Sequence, residues 1–414
     1  MRTCVSLLRG SVVVWTLAGA AMWPARASGQ ALLHPEVTSS VEDEEQPIGE
    51  QGQTFLDGLT WQILVSGFYM FNGYRVAGPY NNLSPEPETR DAYPYTNAMG
   101  FGLNFAGGDL QYQGDKFAIR LDLRWGSAVS LLTPIPPLKQ GYVSWLPMKQ
   151  LKIDFGFFDT TFGAEFVDEW TNANYTRGAL YFLRQPFNHL GIRMAGSVNE
   201  KIELRFMVTQ GNVFGGTPVA FNEVPAIGWQ LSVTPSPVAT LLIGGNHGPS
   251  GDNGNKDWES FLDIVLKLQV RWLTVILNGS YLVDPHAVNP DTGAGGQMDF
   301  AYGESIALVF DASDHWSIGL RVEQLSGNQN YRDFGDPKGE DYRFLWTTTL
   351  TVRYKPVEYL VLSLEGRIEG AGAQIYYSRS SPTIVDPETM QQVLQPDQKK
   401  YYGVVLGVTA HIGN

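Results

Sequence analysis

The sequence predicts an all-β fold: a transmembrane, antiparallel, up-and-down β-barrel of about sixteen strands, with short turns at one end and long loops at the other. Three observations lead there. The segment "FAIRLDLRWGS" (117–127) sets Phe117, Ile119, Leu121, Leu123 and Trp125 on one face and Arg120, Asp122 and Arg124 on the other, which is the period of a strand. Segments of this kind recur from about Trp61 to the end of the chain. The connections between them alternate, short then long, an order that a soluble sandwich has no reason to keep.

In chain order, the alternating segments are 63–74, 97–107, 116–126, 140–146, 151–162, 188–198, 201–210, 226–234, 239–246, 258–269, 271–283, 300–310, 315–325, 343–354, 358–369 and 401–412. In "LKIDFGFF", Leu151, Ile153, Phe155 and Phe157 oppose Lys152 and Asp154. In "KIELRFMVT", Ile202, Leu204, Phe206 and Val208 oppose Glu203, Arg205 and Thr209. In "LVLSLEGRIEG", Leu360, Leu362, Leu364 and Ile368 oppose Ser363, Glu365, Arg367 and Glu369. Charges avoid one face, as a lipid face demands: Lys or Arg at the bilayer midplane costs about 2–4 kcal/mol. Trp61, Trp125, Trp145, Trp258, Trp272, Tyr281, Trp316 and Tyr401 gather toward strand ends and suit interfacial girdles. The short links are 146–150, 198–201, 234–239, 269–271, 311–315 and 354–358; the long ones are about 75–95, 127–139, 163–187, 211–225, 247–257, 284–299, 326–342 and 370–400.

Ahead of this region, a basic start, the apolar stretch "SVVVWTLAGAAMW" and "ARA" (25–27) read as a secretory signal over residues 1–27. Residues 28–60, rich in Glu and Asp, read as a disordered leader in the periplasm, and 61–414 as the barrel. The one cysteine, Cys4, lies inside the signal. Net charge is −13; cleavage takes three arginines and no acid, leaving −16, which argues against a nucleic-acid partner.

Sixteen strands enclose a lumen too wide for side chains to fill. The water-facing row supplies its wall: Arg120, Arg124, Lys152, Arg193, Arg205, Lys267, Arg321, Arg343, Arg353 and Arg367 against Asp122, Asp154, Glu203, Glu259, Asp263, Glu323, Glu365 and Glu369. Opposite charges on neighbouring strands can pair and stiffen such a wall. The long link around 163–187 carries Glu165, Asp168, Glu169, Arg177 and Arg184 amid Phe166, Trp170, Tyr175, Tyr181 and Phe182. Folded inward, it would bury its aromatics and set its charges at a constriction; packed over the rim, it would not.

The stretch "QGYVSWLPMKQLKIDFGFFDTTFGAE", followed by "NYTRGALYFLRQPFNHLGIRM", resembles the OmpL-like β-barrel porins of the porin-2 family. The motif positions are Gln140 and Tyr142; Thr160, Thr161, Gly163 and Glu165; Asn174, Tyr175 and Arg177; and His189, Gly191 and Arg193. The likeness covers roughly 60–414 and is dense over 140–210. It departs from the family in lacking a proline beside Thr161 and a terminal aromatic. The resemblance implies a passive pore in the bacterial outer membrane, with no reaction chemistry.

The residues themselves offer little for catalysis. Six histidines are scattered without metal-ligand spacing, and no Gly-x-Ser-x-Gly supports a nucleophile. The loop "GDNGNKD" (251–257) departs from a calcium-loop pattern, and Gly107-Gly108 reads as a turn. The expected function is diffusion of small hydrophilic solutes or ions through the barrel. The alternative is a non-conducting barrel whose outer loops bind a partner or surface. No cofactor or metal is expected; the expected partners are outer-membrane lipid, the permeating solutes and further copies of the chain.

Overall fold

The computed structural model describes residues 58–72, 100–126, 129, 133–210, 224–249, 258–287, 297–327, 344–372, 374, 376, 378, 380, 382–385, 392–394 and 397–413. The signal, nearly all of the leader, the 251–257 loop and Arg343 lie outside these residues.

The strands are β1 (Leu59–Asn72), β2 (Gly100–Gln113), β3 (Phe117–Trp125), β4 (Leu138–Met148), β5 (Leu151–Asp159), β6 (Asn188–Asn199), β7 (Ile202–Thr209), β8 (Ala226–Ser236) and β9 (Ala239–Pro249). They continue as β10 (Trp258–Val270), β11 (Leu273–Ala287), β12 (Gln297–Asp311), β13 (Trp316–Gly327), β14 (Phe344–Val357), β15 (Leu360–Ala371), a small hairpin β16 (Thr383–Val385) and β17 (Gln392–Leu394), and β18 (Lys400–Gly413). All but the small hairpin form one closed barrel in which each strand pairs antiparallel with its neighbours. Closure is made by β1 and β18, with Gln62 opposite Gly413 and Asn72 opposite Gly403. Both chain ends of the barrel therefore lie at the short-turn end.

The sixteen predicted strands are the sixteen strands of the barrel. Three local expectations are corrected. β1 begins at Leu59, inside the predicted leader. Gly107 and Gly108 lie within β2, opposite Arg124 and Leu123 of β3, so they are not a turn. A Cβ on Gly107 would come within 2.0 Å of the Leu123 carbonyl oxygen, so close approach of the strands is what requires glycine there. Tyr401 faces the lumen and is buried against Tyr376, while Tyr402 takes the outer row. The residues from Tyr402 to Ile412 fix that alternation, and Tyr401 falls on the opposite face.

Along β3 the outward row Phe117, Ile119, Leu121 and Trp125 is exposed, while Asp122 and Arg124 are buried inside. The same alternation holds along β13, β15 and β18. No described helix is long and apolar enough to cross a membrane; the crossing is made by strands. Among the described residues the outer surface is predominantly apolar, and a closed sheet leaves no unpaired edge in hydrocarbon.

At the long-loop end of β5 the wall bends. Gly156 has φ +143°, and a Cβ there would meet the Gly141 oxygen at 2.5 Å and the Tyr142 Cα at 2.8 Å. Beyond the bend both Phe157 and Phe158 are buried, so Phe157 departs from the exposed row of Phe155. From this bend the chain leaves the wall.

Candidate functional site

The segment between β5 and β6 folds into the lumen and crosses it. Its one-turn 3-10 helix spans Glu169–Thr171 and its short helix α1 spans Ala179–Arg184. Aromatic content drives the inward fold. Tyr175 packs with Phe68, Met70, Leu325, Tyr401 and Val405 of the wall. Tyr181 and Val167 pack with Leu64 and Phe105, and Phe162 with Tyr142, Met207, Phe261 and Leu282. The inner wall is thus apolar in patches where the loop docks, and burial of such side chains contributes roughly 1.5–3 kcal/mol each.

Wall glycines make the space. A Cβ on Gly407 of β18 would sit 2.4 Å from the Tyr175 ring, and one on Gly319 of β13 would sit 2.1 Å from the Ala173 oxygen. These seats escape sequence reasoning: an inward glycine looks like a weak strand position until the loop is known to cross there.

Polar contacts fix the loop on every side. From β15, Glu365 accepts hydrogen bonds from the Tyr175 amide at 2.7 Å and the Thr176 amide at 3.2 Å, and also from the Thr176 hydroxyl. From β13, Glu323 accepts from the Ala179 and Leu180 amides, both at 3.0 Å. Those are first-turn amides of α1, whose N-cap Gly178 has no side chain, so the barrel wall supplies the cap. Arg353 donates to the Asn172 and Glu169 carbonyls, and Arg367 to the Arg177 carbonyl at 2.8 Å. Arg321 pairs with Glu165. Across the barrel, Asp263 of β10 accepts from the Gly163 amide at 2.7 Å, and Gln230 of β8 donates to the Thr161 carbonyl. Glu169 accepts from Asn104 of β2 at 2.9 Å and Thr409 of β18 at 2.7 Å.

The last quadrant is ionic. Asp168 receives Arg124 and Lys139, each at 3.0 Å. Lys139 also reaches Asp159, and Arg124 reaches Asp109. Burial raises the Asp168 carboxyl, but Arg124 and Lys139 more than offset this and hold it well below the usual carboxylate range. Burial, opposed by Arg321 and aided by nearby Glu323, pushes the Glu165 carboxyl up. Exposure is uneven here. The side chains of Asp109, Asp159, Glu165 and Asp168 keep 13%, 21%, 14% and 12%, whereas Arg124 and Arg321 keep 1% and Lys139 keeps 9%. The carboxylates keep a small share of contact with water, more than Arg124 and Arg321 do.

Below the loop, toward the short turns, the wall of β3 to β7 pairs with itself. Arg120 joins Asp122 at 3.0 Å, Arg193 joins Asp154 at 2.7 Å with Lys152 at 3.5 Å, and Arg205 joins Glu203 at 2.6 Å. Of the five charged loop residues, Glu165 and Asp168 are those left in contact with water; Glu169, Arg177 and Arg184 are wholly buried. Arg177 donates to the Val167 carbonyl and lies over the Phe105 ring. Arg184 donates to the Leu183 carbonyl.

A family model described as "Putative beta-barrel porin-2, OmpL-like" matches residues 59–394, most of the chain. The chain belongs to this family. It is an outer-membrane β-barrel of the porin class. No curated protein matches it in sequence. Among solved structures, an anion-selective porin from Comamonas acidovorans is similar at TM-score 0.55 and 9% identity, with 86% of this chain and 99% of that one covered. OmpT of Vibrio cholerae is similar at TM-score 0.53 and 11% identity, with 86% and 97% covered. At these identities the likeness speaks for the fold, and the site must be read from its own residues.

Proposed function

We propose that the barrel is a narrow diffusion pore for small hydrophilic solutes, inorganic cations foremost, with its aperture set by the loop between β5 and β6. The carrying observation is the exposure at the loop, where the side chains of Asp109, Asp159, Glu165 and Asp168 keep contact with water while those of Arg124 and Arg321 are wholly buried. A fixed negative rim raises the local cation concentration and excludes anions, most strongly at low salt. In this reading the paired charges Arg120, Asp122, Lys152, Asp154, Arg193, Glu203 and Arg205 line the wider vestibule below. Arg321, Glu323, Arg353, Glu365 and Arg367 hold the loop. Residues 1–27 direct export, and an acidic leader precedes Leu59 on the periplasmic side.

A second reading has its own support. The loop is tied to strands all around the circumference, and at its level each barrel strand offers a buried inward side chain. That favours a sealed barrel whose outer loops bind a partner or surface. Single-channel recording of the refolded protein in a planar bilayer separates the two. The pore reading expects small, steady steps and a reversal potential of cationic sign in a salt gradient. A folded, heat-modifiable barrel that stays silent overturns it in favour of the sealed form.

A further inference from the structure

Most bases of the inner wall are met. Arg120 pairs with Asp122, Arg193 with Asp154 and Arg205 with Glu203, while Arg353 and Arg367 donate to loop carbonyls. Lys267 of β10 differs. Its side chain lies on the lumen face and keeps 7% exposure, and among the described residues it has neither a hydrogen bond nor an ion pair. An ammonium carries three donors and no acceptor, and leaving it unpaired in so sheltered a place is costly.

Its surroundings divide by chemistry. Lys267 stands opposite Thr240 of β9 and Ile276 of β11, with Thr274 one step lower on β11. The Thr240 hydroxyl lies 3.3 Å from that of Thr234 on β8. Above, Leu242, Val265 and Ile276 form an apolar patch on which Ala173 of the loop rests. Lys267 is three residues from Val270, where β10 ends at the short turn. At about 3.3 Å per residue and a tilt of about 40°, that is roughly 8 Å above the turn. The ammonium therefore sits between the short-turn mouth and the underside of the loop, with hydroxyls at its sides and an apolar ceiling.

We infer that Lys267 anchors a seat for a small organic monocarboxylate that enters from the periplasmic side. The carboxylate accepts from the ammonium and from the hydroxyls of Thr240 and Thr274, which supplies the unmet cation with the acceptor it lacks. One unpaired cation matches one negative charge. The apolar ceiling suits a short aliphatic or aromatic body, for which a hydrated inorganic anion has no use. The seat lies below the carboxylates of the aperture and is reached from the short-turn end whether or not the loop passes ions, so it stands or falls apart from the pore reading.

The test uses the full chain, refolded in detergent and checked for heat modifiability. The probe is para-fluorobenzoate at neutral pH, followed by the broadening of its fluorine NMR line, with para-fluorobenzamide as the neutral control. Broadening should fall at least fivefold in Lys267→Met, which keeps the stem and loses the charge. It should persist in Arg120→Leu, which removes an equal charge already paired with Asp122. Equal broadening by the parent and Lys267→Met overturns the inference, as does equal broadening of the amide, which marks adventitious apolar binding only. Displacement of the benzoate by an equal concentration of chloride overturns the organic class of the ligand. Thr240→Val keeps the inference falsifiable should Lys267→Met not fold: it should weaken binding two- to threefold, and unchanged binding overturns the seat.

Discussion

Two stretches of the inner wall are built from the same alternating pattern and use it differently. From β3 to β7, below the loop, the charges pair within the wall, along one strand as Arg120 does with Asp122 or across two as Arg193 does with Asp154; Arg124 and Lys139, higher up, are the bases of this stretch that reach the loop, at Asp168. From β13 to β15 the acids and bases turn inward: Glu323 and Glu365 take backbone amides of the loop, and Arg353 and Arg367 take its carbonyls. One stretch stiffens the barrel, and the other grips what crosses it. A ladder of acid and base along a strand is therefore ambiguous until its partner is known, because a carboxylate serves a guanidinium or an amide equally well.

The comparison breaks most visibly at the gripping wall. Replacing both Glu323 and Glu365 by Ala removes five charge-assisted hydrogen bonds to the loop, each of the order of 1.5–3 kcal/mol. Single-channel conductance should rise severalfold, and residues 160–187 should become open to protease in the folded barrel. A smaller effect of the same sign is expected from Gly407→Leu, which takes the seat of the Tyr175 ring; conductance should about double, with the barrel intact by heat modifiability.

The remaining tests sharpen the contrast. Asp168→Asn removes a charge at the aperture, so reversal potential should shift toward anions while step size changes little. Acidification should act similarly through Glu165. Its carboxyl is raised, so it takes up a proton as pH falls toward, but before reaching, the ordinary range near about 4.3. Cation preference should decline over that interval. Asp168 is depressed; its contribution to docking is complete above about pH 4 and is lost only as pH falls through its lower folded value, so the loop should stay docked meanwhile. Smallest of all, Arg120→Leu in the self-paired wall should change conductance less than twofold and leave protease resistance untouched.

Much of the barrel was legible in the sequence because its signals are local. Strand period, turn length and the avoidance of one face by charge are read within ten residues, and they yield the strand count and the outer rows. The aromatic load of 163–187 raised inward folding as one outcome, but the anchors were hidden. Nothing near Glu365 in the chain signals that it will meet Tyr175, 190 positions away. The seats at Gly319 and Gly407 are silent for the same reason. Tyr401 lies in the lumen and not in the girdle because aromatic residues suit both an interfacial girdle and a buried lumen cluster, and only register decides between them.

The distance between the loop and its anchors also sets an order of events. The loop is made before β8, yet most of its holds belong to β10 through β18, and Glu169 is held across the closing seam by Asn104 and Thr409. The crossing is thus completed by closure: a half-built barrel has the loop and the hold of Arg124 and Lys139 on Asp168, but lacks the strands that fasten the rest of it. The loop gains its full set of holds only when the last strand meets the first.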